Sequence, residues 1–167
     1  VSRRETILTE QEKATDRDLC LTAIGTLTKT AAKMEELRVA DALTEVFALF
    51  KCCNKYIDET EPWVLAKNPD RADRLSTVLY NLVESIVIGT SLLEPFMPET
   101  AAKIAAQLNT SLRDFDCLGI FGLLPDGHKL TEKPEILFAR LDKKEVEKKE
   151  EEVLAAMTAS AEASVSA

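Results

Sequence analysis

The segment Lys51–Asn68, with the sequence KCCNKYIDETEPWVLAKN, decides how this chain folds. Pro62 follows a long run of helix-forming residues and directly precedes Trp63. This arrangement is typical of the first turn of a new helix, because the N–H that proline lacks has no intrahelical acceptor at that position. The pattern predicts that one helix ends near Thr60 and that the next begins at Pro62. Trp63, the only tryptophan, should therefore lie at a corner between two helices.

On both sides of this corner, apolar residues recur at intervals of three and four. That spacing predicts amphipathic helices over about 16–36, 38–58, 71–93 and 98–108. The third of these is apolar almost all round between Leu82 and Ile88, so we expect it to be the central, most buried helix. Asn68-Pro69-Asp70 interrupts the chain before it, and Asp70 is expected to cap its start.

The remainder of the chain differs in composition. Residues 110–141 are rich in glycine and proline, which favours an irregular segment laid over the helices, with a short hairpin at Pro125-Asp126-Gly127 as an alternative. A charged helix is predicted over 142–157, with Asp142 and Glu145 as a capping box, and 158–167 forms a low-complexity tail. The sequence thus predicts an all-α protein: an antiparallel helical bundle over 1–157, with a wrapped irregular segment and a C-terminal helix.

Length and charge limit the classes of function. A chain of 167 residues, 46% of them hydrophobic, fits one globular domain. The net charge of −8 argues against DNA or non-specific RNA binding, so any RNA contact must be local. No apolar run approaches the roughly 20 residues needed to cross a bilayer. With no secretory leader and no initiating Met, we expect a cytoplasmic segment of a longer protein, with its four cysteines buried and reduced.

Residues with catalytic potential are sparse. The one histidine, His128, lies beside the predicted turn and is expected to be a solvated loop residue rather than a base. No His/Cys spacing fits a metal site, and no glycine-rich phosphate loop or nucleophile motif occurs. The segment is therefore predicted to hold no catalytic residue, metal or cofactor of its own.

Two interpretations of Trp63 remain open on chemistry alone. A large ring at a helix corner can plug the core, as in a helical protein-interaction or scaffold domain. It can also offer its face to an unpaired nucleobase. Lys55, Lys67, Arg71 and Arg74 flank the corner and could meet phosphates, although acidic residues are interleaved with them.

Four motifs in order carry a resemblance to a known family. Asn54–Lys67 (NKYIDETEPWVLAK) closely resembles the signature of the anticodon-binding domain of methionyl-tRNA synthetases. Leu92–Ala101 (LLEPFMPETA), Phe121–Pro125 (FGLLP) and Leu137–Leu141 (LFARL) resemble later segments of the same family. The resemblance covers roughly residues 15 to 150.

The resemblance implies a helical bundle of the class I synthetase type that reads the CAU anticodon of methionine tRNA. Trp63 would stack on an anticodon base, Pro62 would present it, and Arg3 would match an anticodon-contacting arginine, with Arg4 as its rival. A catalytic domain of the same polypeptide would attach methionine to the tRNA with ATP. The alternatives are the scaffold domain already mentioned and the equivalent domain of another class I synthetase, for cysteine, leucine, isoleucine or valine.

Overall fold

The computed structural model describes residues 1–2, 8–138, 143, 146–150 and 152–153, and the chain divides into two compact units, Val1–Glu135 and Ile136–Ala167. The first unit holds five α-helices: α1 (Glu10–Glu35), α2 (Val39–Thr60), α3 (Pro62–Leu65), α4 (Ala72–Leu93) and α5 (Pro98–Leu108). One-turn 3-10 helices lie at Pro69–Arg71 and Phe115–Cys117. The described residues contain no strand, which confirms the predicted all-α class.

Helices α1, α2 and α4 pack against one another and form the centre of the bundle. Tyr56 near the end of α2 and Arg74 near the start of α4 both bond to Asp16 near the start of α1. The chain therefore runs up through α1, down through α2 and up again through α4. The core consists of apolar side chains from these helices, including Leu19, Leu49 and Ile88.

The first helix begins earlier than the predicted residue 16. The side chain of Thr9 accepts from the backbone N–H of Glu12 (3.2 Å), and the Glu12 carboxylate accepts from the N–H of Thr9 (2.9 Å). This reciprocal capping box fixes the start of α1 at Glu10. Its Thr-x-x-Glu pattern is visible in the sequence, but apolar periodicity alone does not reveal it.

Helix α4 is the most buried element, as predicted, with few exposed positions after Thr77. The segment Pro69–Leu93 is long and apolar enough to cross a membrane by length and composition, so the expectation that no run approached that length was wrong. However, 78% of its apolar window is buried inside the protein. A buried core helix accounts for the composition.

The predicted cap at Asp70 was wrong. The side-chain oxygen of Asn68 accepts from the backbone N–H of Asp70 (3.0 Å) and so caps the 3-10 turn Pro69–Arg71. Helix α4 then begins after Arg71, which makes no side-chain cap bond. Pro69 explains the difference, because it holds Asn68 in an extended conformation, which is the conformation of a cap residue.

The irregular segment over residues 110–135 packs on the bundle, as predicted, and buries Leu118 and Leu124. The carboxylate of Glu84, in the middle of α4, accepts from Arg113 Nη2 (2.8 Å), the N–H of Gly122 (2.9 Å) and the N–H of Leu124 (2.5 Å). A single buried charge therefore holds three points of the segment. The alternative hairpin at 125–127 has no strands in the part of the chain that the structure describes.

Two further expectations concern the cysteines and the charged C-terminal helix. Only Cys53 is buried, and Cys20, Cys52 and Cys117 are half-buried, so the prediction of four buried cysteines was wrong for three. In the second unit, residues 143, 146–150 and 152–153 are helical, with ion pairs Lys143–Glu147 (3.6 Å) and Lys148–Glu152 (3.9 Å). The predicted capping residues 142 and 145 and the tail 158–167 lie outside the described residues.

Candidate nucleic-acid interface at the corner between α2 and α3

The chain turns sharply between α2 and α3. Helix α2 ends at Thr60, as predicted, and Glu61 takes a left-handed conformation (φ 43°) in which its N–H donates to the Ile57 carbonyl (3.0 Å). Pro62 occupies the first position of α3, and the N–H of Val64 donates back to the Glu61 carbonyl (2.8 Å). Glu61 thus makes backbone hydrogen bonds to both helices, which gives the corner a defined geometry.

Trp63 is exposed at this corner. Its side chain is 51% accessible, and none of the residues of α3 is buried. The half-buried Leu65 instead packs against the core and attaches the short helix to the bundle. A core plug requires a sealed ring, whereas about half of Trp63 is open to solvent.

A buried polar cluster lies beneath the corner and joins three helices. Asp16 of α1 accepts two hydrogen bonds from Arg74 of α4 (2.6 and 2.8 Å) and one from the Tyr56 hydroxyl of α2 (2.6 Å). The Asn81 amide donates to the same hydroxyl (3.3 Å). Arg74 is only 2% exposed, and although burial works to lower its pKa, the bonds to Asp16 outweigh this and raise it. Burial and the bond to Asp16 likewise raise the pKa of Tyr56.

The four cations that flank the corner differ in what they can contact. Arg74 is committed to Asp16, which excludes it as a phosphate contact. Arg71 pairs with Glu12, and Lys55 pairs with Glu59 (3.4 Å). Burial works to raise the pKa of Glu12, but its bonds to Thr9 and Arg71 lower it overall. Lys67 is exposed and has no ion pair among the described residues.

A small polar cavity, here named the corner cleft, lies beside α3. It has a volume of about 90 Å³ and is lined by the first turns of α1, the end of α2, the side chain of Leu65 and the start of α4. Its lining residues are Gln11, Glu12, Thr15, Glu59, Thr60, Leu65 and Arg74. The cleft thus brings together polar groups from three long helices next to the helix that carries Trp63.

A larger cavity, of about 320 Å³, lies between the C-terminal half of α1, the end of α4 and the irregular segment. Its lining is mostly apolar and includes Leu27, Met34, Phe96 and Phe115. Such a surface offers little to phosphates or to the polar edges of bases. The corner is therefore the better candidate for RNA.

Two sequence predictions concern residues away from the corner. His128 is half-buried rather than solvated, and its Nε2 lies 2.7 Å from the Leu108 carbonyl oxygen at the end of α5. Because a carbonyl only accepts, Nε2 carries the proton and His128 ties the loop to α5. Arg3 and Arg4 lie outside the described residues. In the part of the chain that the structure describes, no group of His, Cys, Asp or Glu side chains could hold a metal ion.

Sequence reasoning missed the cluster beneath the corner. The pattern of apolar residues assigned polar side chains to solvent, whereas Arg74 and Asn81 lie on the inner face of α4. One signal was available: Arg74 and Asn81 stand seven residues apart with Val78 between them, a helical spacing that places all three on one face.

Comparisons with known proteins agree on one family. Residues 7–158 match a family model described as the anticodon binding domain of methionyl tRNA ligase. The methionine–tRNA ligase of Clostridium acetobutylicum is 44% identical over 138 residues, which cover 83% of this chain and 21% of that protein. The enzyme of Bacillus subtilis is 40% identical over 136 residues, with 78% and 20% covered. The chain thus spans about a fifth of the length of the curated relatives it matches.

Solved structures show the same similarity. The apo form of Mycobacterium tuberculosis methionyl-tRNA synthetase matches with a TM-score of 0.72 and 28% identity, over 84% of this chain and 28% of that one. The same enzyme in complex with methionyl-adenylate gives a TM-score of 0.71 at 28% identity, over 83% and 27% of the two chains.

Proposed function

This chain belongs to the family of anticodon-binding domains of methionyl-tRNA ligases, and from that premise we propose that it binds the anticodon loop of methionine tRNA. In the proposal, the full-length ligase reads the CAU anticodon through this chain. A catalytic domain of the same polypeptide then attaches methionine to the tRNA, using ATP. The same proposal places the enzyme in the cytoplasm.

The observation that supports RNA binding is the exposure of Trp63 at a corner of defined geometry. An open aromatic face holds an unpaired base with about 1–3 kcal/mol, whichever base it is. Pro62 restricts the backbone directly before the ring, so this part of the backbone has less freedom to lose on binding. Trp63 is proposed as the stacking residue and Pro62 as the residue that presents it.

The charges around the corner support local rather than broad contact with RNA. Lys67 follows Trp63 by four residues and has no carboxylate partner among the described residues, so it can meet a phosphate directly. Arg71 can do so by leaving Glu12, because it is partly exposed. Arg3 remains a proposed contact from the family resemblance alone.

Trp63 provides its own test, because it is the only tryptophan. Titration with a CAU stem-loop should change its fluorescence, and the same stem with a scrambled loop should not. Trp63→Ala should weaken CAU binding by about 1–3 kcal/mol, the loss of one stacked base, whereas Trp63→Phe should retain much of it. Binding of both variants can be followed by anisotropy of a labelled RNA.

Lys67→Gln is the matched electrostatic variant. It should reduce the salt dependence of binding without changing the preference among loop sequences, because a phosphate contact carries no base information. If Trp63→Ala binds the CAU loop as tightly as the unaltered chain, or if the CAU and scrambled loops bind alike, the proposed function is wrong.

A further inference from the structure

The corner cleft holds polar groups that stacking on Trp63 would not use. Three of its residues are already committed within the protein. Arg74 bonds to Asp16, Glu12 is bonded to Thr9 and Arg71, and the Thr60 hydroxyl donates to the Tyr56 carbonyl (2.7 Å).

The other polar residues of the cleft are available. The side chains of Gln11 and Thr15 have no hydrogen-bond partner among the described residues, and both residues belong to the first two turns of α1. The Glu59 carboxylate has only the exposed Lys55 at 3.4 Å. Such a surface ion pair stabilises little, so Lys55 can give way to a better donor. A residue with an amide, on α1, and a residue with a carboxylate, on α2, therefore line one small space.

The chemistry of these groups selects one kind of nucleobase edge. A carboxylate only accepts hydrogen bonds, so it pairs with an exocyclic amino group, as on cytosine or adenine, and repels the carbonyl that uracil presents instead. A glutamine amide both donates and accepts, so it can complete the recognition of such an edge. Glu59 and Glu12 also make the cleft unfavourable for a phosphate.

We propose that the corner cleft receives the edge of an unpaired anticodon base that carries an exocyclic amino group, with Glu59 as its acceptor and Gln11 as a second partner. The inference rests on the proposed function, since it assigns base choice to residues of the cleft beside α3, the helix that carries Trp63. Pockets that enclose whole ligands measure about 300–1,000 Å³. The cleft, at about 90 Å³, therefore suits one polar edge rather than a complete nucleotide.

The experiment measures base preference rather than affinity. The chain is titrated with CAU, with UAU, which replaces the cytosine amino group by a carbonyl, and with a loop whose adenine is replaced by purine, which lacks the amino group. We expect the unaltered chain to prefer CAU over at least one of these loops by about tenfold or more. The loop that loses affinity shows whether cytosine or adenine occupies the cleft.

Two variants and one control complete the design. Glu59→Gln should reduce that preference to about threefold or less, because the amide donates to a carbonyl as readily as it accepts from an amino group. Gln11→Met should weaken CAU binding by about three- to tenfold while the Trp63 fluorescence response persists. Glu132→Gln, at an exposed glutamate with no ion pair among the described residues, removes the same charge and should leave the preference unchanged.

The outcomes separate this inference from the proposed function. If Glu59→Gln keeps the preference of the unaltered chain while Trp63→Ala still weakens CAU binding, the cleft does not read a base and the anticodon-binding role stands. If the unaltered chain binds CAU and scrambled loops equally, both are wrong. A preference lost on Glu59→Gln and kept on Glu132→Gln supports the inference.

Discussion

Replacement of Glu84 by Gln tests whether one buried carboxylate holds the irregular segment on the bundle. Glu84 is fully buried in α4, and each of its oxygens serves two donors. Oε2 accepts from Arg113 Nη2 and from the N–H of Gly122, whereas Oε1 accepts from the N–H of Leu124 and, at 3.5 Å, from the Tyr80 hydroxyl.

The magnitude follows from that geometry. Whichever way the glutamine amide is turned, its NH₂ group faces two donors, so a backbone N–H that was bonded to the carboxylate loses its acceptor. The nearly buried Arg113 also loses its counter-charge. Removal of one partner of a buried ion pair costs about 3–5 kcal/mol, and we expect Glu84→Gln to lower the free energy of unfolding by that amount.

Urea denaturation followed by circular dichroism measures the effect. Glu132→Gln, which lies in the same irregular segment, should change the unfolding free energy by no more than about 0.5 kcal/mol. In an Arg113→Met background, Glu84→Gln should cost less, since the counter-charge is already absent. A loss below about 1 kcal/mol for Glu84→Gln alone would refute the idea that this carboxylate anchors the segment.

Two further predictions concern packing and pH. In the same urea assay, Gly25→Ala should stabilise the protein by about 0.5–1 kcal/mol, because no atom lies within 4 Å of the new Cβ. Gly89→Ala should instead destabilise it by about 1–3 kcal/mol, because the new Cβ would lie 2.8 Å from a ring carbon of Phe50. Burial, aided by neighbouring carboxylates, raises the pKa of Tyr56 and raises that of Tyr80 to about 12. Both folded-state pKa values exceed the ordinary value of 10.0. The contribution of these two tyrosines to the free energy of unfolding is therefore fully present below about pH 10 and is lost as the pH rises further. Tyrosinate absorbance should then appear together with loss of helix. The prediction would be contradicted if tyrosinate formed at the ordinary pKa while the circular dichroism spectrum stayed unchanged.

The sequence predicted most helices because their signals are local. Pro62 places the end of α2 and the start of α3 within a residue, and apolar spacing locates α4 and α5. The start of α1 was missed because it depends on a capping box and not on apolar spacing. Residue chemistry alone left the exposure of Trp63 open, since the direction of its side chain depends on the left-handed turn at Glu61, and only the family resemblance implied an open ring.

The spacing of apolar residues could not predict the buried polar side chains, for a different reason. Each buried charge of α4 has a partner far away in the chain: Arg74 pairs with Asp16, 58 residues earlier, and Glu84 pairs with Arg113, 29 residues later. The sequence pattern of one helix shows that a polar residue lies on its apolar face. It does not show whether a neighbouring element supplies a residue of opposite charge. Only the packing of α4 against α1 and the irregular segment supplies that information.

The polar interior also helps to explain how a helix of only four residues is held in place. Helix α3 buries no residue of its own, so apolar packing alone does not fix its position. Besides the half-buried Leu65, two turns attach it: the turn at Glu61 on α2, and the Asn68-capped turn that leads into α4. Asp16, Tyr56 and Arg74 bind the adjoining ends of α2 and α4 to α1 directly beneath. In the proposed function, that order exists before RNA binds, so the backbone of α3 would lose little conformational entropy and more of the stacking energy of Trp63 would contribute to affinity.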